Sequence, residues 1–404
     1  MGERGFDAIL VSGPSQNNPV MYYMVNGAHV GEGSTLVKKR GEEPILFVNL
    51  MERDEAAKSG LTVVDPQKYD YQAQLTAEGG DRLRALIRFR EMMFSDLGVT
   101  GKVAIYGQRE VGSALVFANA FNARQNGVEL VGEFVDNIFE TTWITKDREE
   151  IERIRKVGEK TMNVVGSVAD FLQSHRAVDG TLVKGDGSAL TVGDVKGQMR
   201  EFFRSEGIED PEGTIFAIGR DAAVAHSSGN PSDRMELGKT IIFDIFPREP
   251  GGGYFFDFTR TWCLGYAPPE VEQAYRDVLD TFNTVMSEMK AGDFTRIHEA
   301  RACDLLEARG HITHRSEKGT QKGYYHSLGH GLGLNIHEPP YFGIHETHPH
   351  TLDPGCVVTI EPGVYYPDEG YGIRIEDCCW MNPATGRFEA LADYSKELVL
   401  PVRT

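Results

Sequence analysis

The chain has 404 residues, too many for one small domain and enough to bury a sizeable core without disulfide staples. Its 60 acidic residues outnumber 42 basic ones, and the net charge of −18 repels polyanions, which argues against nucleic acid and anionic membrane surfaces as partners. No apolar run approaches the length of a membrane-spanning helix, and the opening Met1-Gly-Glu-Arg-Gly-Phe lacks the basic-then-apolar pattern of a secretory signal, so no membrane association is expected.

In chain order, Asp7-Ala-Ile-Leu-Val reads as a short strand ended by the turn Ser12-Gly-Pro-Ser. Pro44-Ile-Leu-Phe-Val and Lys102-Val-Ala-Ile-Tyr read as two further buried strands. Between them, Asp81 to Met93 has helical spacing, with Leu83, Leu86, Ile87 and Phe89 on overlapping faces. Strands alternating with helices predict a small α/β domain over residues 1–140. No glycine-rich phosphate loop is present, so no nucleotide cradle is implied.

A second domain is expected over 141–404. Thr145 is the predicted N-cap of a helix whose apolar stripe is Ile151, Ile154, Val157 and Met162, with Asp147, Glu149 and Glu150 favouring its first turn. From Thr240 onward, short β-like runs alternate with glycine turns, and two helices are predicted at about 269–290 and 295–309. Ten of the twelve histidines follow residue 200, which places the chemistry in this part. The five cysteines, Cys263, Cys303, Cys356, Cys378 and Cys379, are odd in number and form no C-x-x-C pair. This usage agrees with a reducing, cytoplasmic compartment, and the adjacent Cys378 and Cys379 read as reduced packing residues.

Five segments carry candidate chemistry. Ile241-Ile-Phe-Asp-Ile-Phe holds Asp244, and Tyr254-Phe-Phe-Asp-Phe-Thr-Arg-Thr-Trp holds Asp257. The link Pro247-Arg-Glu-Pro-Gly-Gly-Gly predicts a hairpin loop and antiparallel pairing of the two strands. A carboxylate among large apolar residues costs several kcal/mol when buried alone, and two in facing strands repel. Arg260 falls on the opposite strand face from Asp257, so a metal is the simpler neutraliser. The third segment, His326-Ser-Leu-Gly-His-Gly-Leu-Gly-Leu-Asn-Ile-His-Glu, offers His326, His330 and His337, with glycines that allow close backbone approach. The fourth ends an apolar strand with Glu361, and the fifth, Gly370-Tyr-Gly-Ile-Arg-Ile-Glu-Asp, carries Arg374 and Glu376. Each residue alone has an ordinary structural reading. Together, four carboxylates and one imidazole suit a pair of divalent ions, Mn²⁺ first, with Co²⁺ or Zn²⁺ as alternatives.

These residues resemble the metallopeptidase family of aminopeptidase P, prolidase, methionine aminopeptidase and creatinase. The run His326-x-Leu-Gly-His330-Gly-Leu-Gly-Leu-x-Ile-His337-Glu fits its aminopeptidase P and proline-dipeptidase signature. Asp257-Phe-Thr-Arg-Thr, Thr359-Ile-Glu-Pro-Gly, Gly372-Ile-Arg-Ile-Glu-Asp and, upstream, Ala225-His226-Ser follow in the family order. The resemblance implies an α+β fold: a C-terminal pita-bread catalytic domain with a smaller N-terminal α/β accessory domain. It implies that Asp244 chelates one metal through both oxygens, that Asp257 and Glu376 bridge two metals, and that His330 and Glu361 complete the other. Glu361 would also be the general base acting on a bridging water. His226 and His337 would hydrogen-bond the substrate carbonyl and the tetrahedral intermediate, and His326 and Arg374 would support the site. The implied reaction is hydrolysis of the peptide bond preceding proline, by an Xaa-Pro dipeptidase or Xaa-Pro aminopeptidase acting as a homodimer on small peptides with proline second. Tyr341, Phe342, Tyr365 and Tyr371 are candidates for the proline pocket.

One departure bears on substrate. The family carries Asp-x-Gly at the first ligand, whereas this chain has Asp244-Ile245-Phe246, a bulky side chain on the same strand face. That keeps open a small-molecule C–N hydrolase of creatinase or ectoine-hydrolase type. A non-catalytic binding protein is disfavoured because it has no reason to keep five ligands with His226 and His337. His345, His348 and His350 form an unusual cluster, read as a solvated loop against the alternatives of an extra metal site or a lid.

Overall fold

The short apolar runs of the N-terminal region pair into one sheet. In the computed structural model, which describes residues 1–403, the strand order is Thr62–Val64, Ile45–Phe47, Thr35–Lys39, Ala8–Ser12, Gly101–Gly107, Val128–Val131. Ala8–Ser12 runs antiparallel to Thr35–Lys39 and parallel to Gly101–Gly107. The helix Arg82–Asp96 starts at Asp81, whose carboxylate accepts the Arg84 amide. Its Ile87, Met93 and Phe94 join Leu10, Val103 and Phe121 in the core. These elements belong to one compact unit, Met1–Thr141 with Gly251–Gly253; a second unit takes Thr142–Pro250 and the chain from Tyr254 onward.

The second unit opens with the helix Arg148–Ser174. Its N-cap is Asp147 rather than the expected Thr145: the Asp147 carboxylate accepts the Glu149 and Glu150 amides, and Glu150 reaches back to the Asp147 amide. Thr145 is instead drawn into an extended pairing with Cys356. The stripe Ile151, Ile154, Val157, Val164, Val168 and Leu172 is buried, with Met162 half-buried beside it.

Thr240–Ile245 and Phe258–Leu264 pair antiparallel, as expected, with Asp244 opposite Thr259 and Ile245 opposite Phe258. Ile215–Ile218 and Val399–Leu400 extend this sheet on either side. Val357–Ile360 pairs with Asp377–Asn382, and Gly363–Tyr366 forms a hairpin with Tyr371–Arg374. A bridge between Thr259 and Glu376 ties the two strand systems at the point where the carboxylates lie. The helices Pro269–Glu288 and Thr295–Glu307 lay Val278, Phe282, Val285, Ala302, Cys303 and Leu306 into one core with Val358, Ile360, Val364 and Ile373. All five cysteines are buried and free. Among the described residues, no helix is long and apolar enough to cross a membrane.

Candidate metal centre

Four strand ends deliver four carboxylates. Asp244 lies one residue from the end of Thr240–Ile245, and Asp257 lies one before Phe258–Leu264. Glu361 follows Val357–Ile360, and Glu376 precedes Asp377–Asn382. The flanking apolar residues bury the strands and carry the carboxylates in with them. Asp257 and Glu376 keep only 4% and 2% of their exposure. His330 enters from the glycine-rich loop, with Nε2 3.6 Å from both Asp257 Oδ2 and Glu361 Oε1. Ligand atoms of Asp257, His330 and Glu376 all lie within 4.8 Å of one another. The glycines position this loop against backbone. A Cβ on Gly329 would sit 2.0 Å from the Thr359 carbonyl, and one on Gly331 would sit 2.3 Å from that of Pro339.

The electrostatics call for a cation. Burial, then repulsion from Glu376 and Asp244, holds the Asp257 carboxyl well above the usual range. Burial and Glu376 do the same to Glu361, and burial with Asp244 pushes Glu376 up to about 8. Arg374 opposes these shifts without cancelling them. Asp244 Oδ1 and Asp257 Oδ1 are buried without a hydrogen-bond partner among the described residues. Such oxygens cost several kcal/mol unless something neutralises them. The His330 Nδ1–H donates to the Gly331 carbonyl at 3.0 Å, which leaves Nε2 with a free lone pair. Burial, then His337, pushes this imidazole down to about 3, so it is neutral, as a ligand must be. The donor set fits divalent metal ions.

Behind the carboxylates, Arg374 organises the site. Nη2 reaches Asp244 Oδ2 at 2.5 Å, and Nη1 donates to the Tyr365 hydroxyl at 2.8 Å and the Ala225 carbonyl at 3.1 Å. Chelation through both Asp244 oxygens therefore requires sharing Oδ2 with Arg374. The His326 Nδ1–H donates to the Ser327 carbonyl at 2.8 Å, so its Nε2 accepts from the Tyr365 hydroxyl at 3.0 Å. His337 is exposed, with its ring 4.2 Å from that of His330, and His226 is exposed beside Ala225. Phe246 packs against the cluster of Ile215, Ala217, Ala222, Ala225, Ile242 and Tyr365.

The remaining candidates separate. Tyr365 and Phe342 are buried, Tyr371 is half-buried, and Tyr341 is exposed. His345, His348 and His350 do not gather into a ligand group among the described residues. The His348 Nε2–H donates to the Tyr341 carbonyl, and the Tyr341 amide donates to His350 Nδ1, which folds the loop on itself.

The profile of metallopeptidase family M24 matches residues 152–383, more than half of the chain. The chain belongs to family M24. Its M24 region contains all nine expected site residues, from His226 to Glu376. The chain is 27% identical to the Xaa-Pro dipeptidase of Pyrococcus furiosus over 383 residues, covering 93% of this chain and 91% of that protein. The X-Pro aminopeptidase structure from Thermotoga maritima matches with a TM-score of 0.75 at 21% identity, over 99% of both chains. The prolidase structure from Pyrococcus furiosus matches with a TM-score of 0.72 at 23% identity, over 98% of both. The M24 fold is thus the α+β pita-bread arrangement expected from the sequence.

Sequence reasoning missed four supports. Thr259 donates from Oγ1 to Glu376 Oε2 at 2.7 Å, and the Tyr365 hydroxyl links Arg374 to His326. Glu299 accepts the Leu328 amide at 2.7 Å, two residues before His330. Lys146 Nζ lies 2.6 Å from Glu338 Oε1, with both side chains 1% exposed, and Glu338 accepts the Asn335 amide. Glu299 had a visible signal: it shares a buried helix face with Thr295, Ala302 and Leu306, where an apolar residue is the rule.

Proposed function

We propose that this M24 chain is a dinuclear-metal hydrolase that cleaves the peptide bond preceding proline, as an Xaa-Pro dipeptidase or Xaa-Pro aminopeptidase. The observation that carries the reading is the buried, mutually repelling carboxylate group around His330, with two oxygens that lack partners among the described residues. The names of the Pyrococcus furiosus and Thermotoga maritima relatives support the proline specificity.

In this reading Asp244, Asp257, His330, Glu361 and Glu376 would hold two divalent ions, Mn²⁺ first. Bound there, such ions polarise the scissile carbonyl and bring the pKa of a water towards neutrality. Glu361, the least buried of the four carboxylates, takes the proton from the attacking water and returns it to the leaving amine. His226 and His337, both exposed and the latter with its ring 4.2 Å from that of His330, donate hydrogen bonds to the carbonyl oxygen as it gains charge. Arg374, Tyr365 and His326 fix Asp244 and the loop without touching substrate. Residues 1–140 serve as the accessory domain that limits peptide length, and 141–404 as the catalytic domain of a cytoplasmic homodimer.

The test is turnover by Mn²⁺-loaded protein on an Xaa-Pro dipeptide, an Xaa-Pro-Xaa tripeptide, a proline-free dipeptide, creatine and ectoine. Cleavage confined to the proline peptides is the expected result, and the dipeptide-to-tripeptide ratio separates dipeptidase from aminopeptidase. Silence on both proline peptides with metal bound would overturn the reading.

A further inference from the structure

A second group of ligand-type side chains lies outside the carboxylate centre. Glu299 and Cys303 are one turn apart on the helix Thr295–Glu307, so their side chains stand on one face. Both are fully buried. His314 folds back from beyond the helix end, held by its amide on the Tyr324 carbonyl at 2.7 Å and by its ring edge-on to Tyr324 at 5.4 Å. His314 Nε2 lies 3.0 Å from Glu299 Oε1 and 3.7 Å from Cys303 Sγ. One ligand atom from each of the three residues falls within 4.8 Å of the others.

Hydrogen bonding alone serves this group poorly. A single ring nitrogen faces both a thiol and a carboxylate, yet it has one in-plane direction and at most one proton. One sulfur, one nitrogen and one oxygen converging on a common point is the pattern a borderline-soft ion takes. Bonds of about 2.3 Å to sulfur and about 2.0 Å to nitrogen put those atoms roughly 3.6 Å apart across a tetrahedral ion. The observed 3.7 Å matches that span. The carboxylate is oriented as ligating carboxylates are: Glu299 Oε1 also accepts from the Tyr324 hydroxyl at 2.8 Å, and Oε2 accepts the Leu328 amide at 2.7 Å. The His314 side chain is 24% exposed, which gives an ion a way in.

We propose that Glu299, Cys303 and His314 form a separate site for one Zn²⁺-like ion, with the fourth position left to water. Its thiolate and imidazole select against Mn²⁺, so it does not compete for the ion of the carboxylate centre. An ion there clamps the His314 segment to the helix and, through Glu299 and the Leu328 amide, braces the loop that carries His330.

Cobalt is the probe, because a thiolate bound to Co²⁺ gives a near-ultraviolet charge-transfer band that carboxylate and imidazole ligands do not. Chelator-treated full-length protein is titrated with Co²⁺ alone. The expected result is a saturable thiolate band whose final intensity corresponds to one thiolate-bound Co²⁺ per chain, whatever further Co²⁺ the carboxylate centre takes up, and which is bleached by added Zn²⁺. It is abolished in Cys303→Ser, weakened at least ~10-fold in apparent affinity in His314→Ala, and retained in Asp257→Asn. Absence of the band in Co²⁺-loaded wild type, or its survival in Cys303→Ser, would overturn the proposal. If Cys303→Ser does not fold, the partly exposed His314→Ala decides by the same readout: unchanged affinity overturns the site. The outcome is independent of peptidase activity.

Discussion

Arg374 Nη2 sits 2.5 Å from Asp244 Oδ2, and the same guanidinium reaches Tyr365, Ala225 and Thr259. One planar fork thus fixes a candidate metal ligand, the partner of His326 and the backbone beside His226. A lysine keeps the charge but cannot span these acceptors. Arg374→Lys is expected to lower kcat by ~10–100-fold with a smaller change in KM. Steady-state kinetics on an Xaa-Pro dipeptide check this. An unchanged kcat would show that the charge alone suffices.

Stability without metal should depend on pH in an unusual direction. Burial, then Asp244, raises Glu376 from 4.5 to about 8 in the folded chain. The folded state therefore holds a proton that the unfolded state releases. That stabilisation is fully present below about pH 4.5 and is lost as pH rises through about 8. Thermal unfolding of chelator-treated protein is expected to show Tm falling from pH 5 to pH 8 more steeply in wild type than in Glu376→Gln. Saturating Mn²⁺ should remove the decline by supplying the missing positive charge.

Removing one charge from the cluster should separate stability from activity. Asp257→Asn relieves repulsion against Glu376, Asp244 and Glu361. At pH 8 the chelated variant is expected to unfold at the same or a higher temperature than chelated wild type. Its turnover should fall more than ~100-fold and its metal content should drop. A variant that lost stability and kept its metal would contradict the cation-site reading.

Lys146 and Glu338 form a buried pair that holds the loop ending in His337. Burial already raises the Glu338 carboxyl, with Lys146 as its main counterweight. Lys146→Met should cost about 3–5 kcal/mol by leaving that charge unpaired, and Lys146→Met/Glu338→Leu should recover most of it. Urea unfolding of the four members of the cycle measures the difference.

The four carboxylate candidates were legible because a carboxylate within or at the end of an apolar strand breaks the pattern around it. Asp244 and Asp257 stand among Ile241, Phe243, Phe256 and Phe258, where nothing local could satisfy them. The hairpin was legible for the same reason, since its turn residues separate two strong strand runs. The Tyr365 hydroxyl was not, because a tyrosine in a strand reads as packing until its tertiary partners are known. The helix start was misplaced because Thr145 and Asp147 are both good caps, and only the bridge to the distant Cys356 decides between them. Glu299 and Cys303 share one helix face, and His314 is brought to them by a fold-back after the helix that no local pattern announces.

The most direct test of the central claim is turnover of an Xaa-Pro dipeptide during stepwise Mn²⁺ titration of chelator-treated protein. Activity should be absent at the start, rise with bound metal and level off at two ions per chain, with no cleavage of a proline-free dipeptide. Full activity in the metal-free protein, or two bound ions without proline-peptide cleavage, would contradict the account.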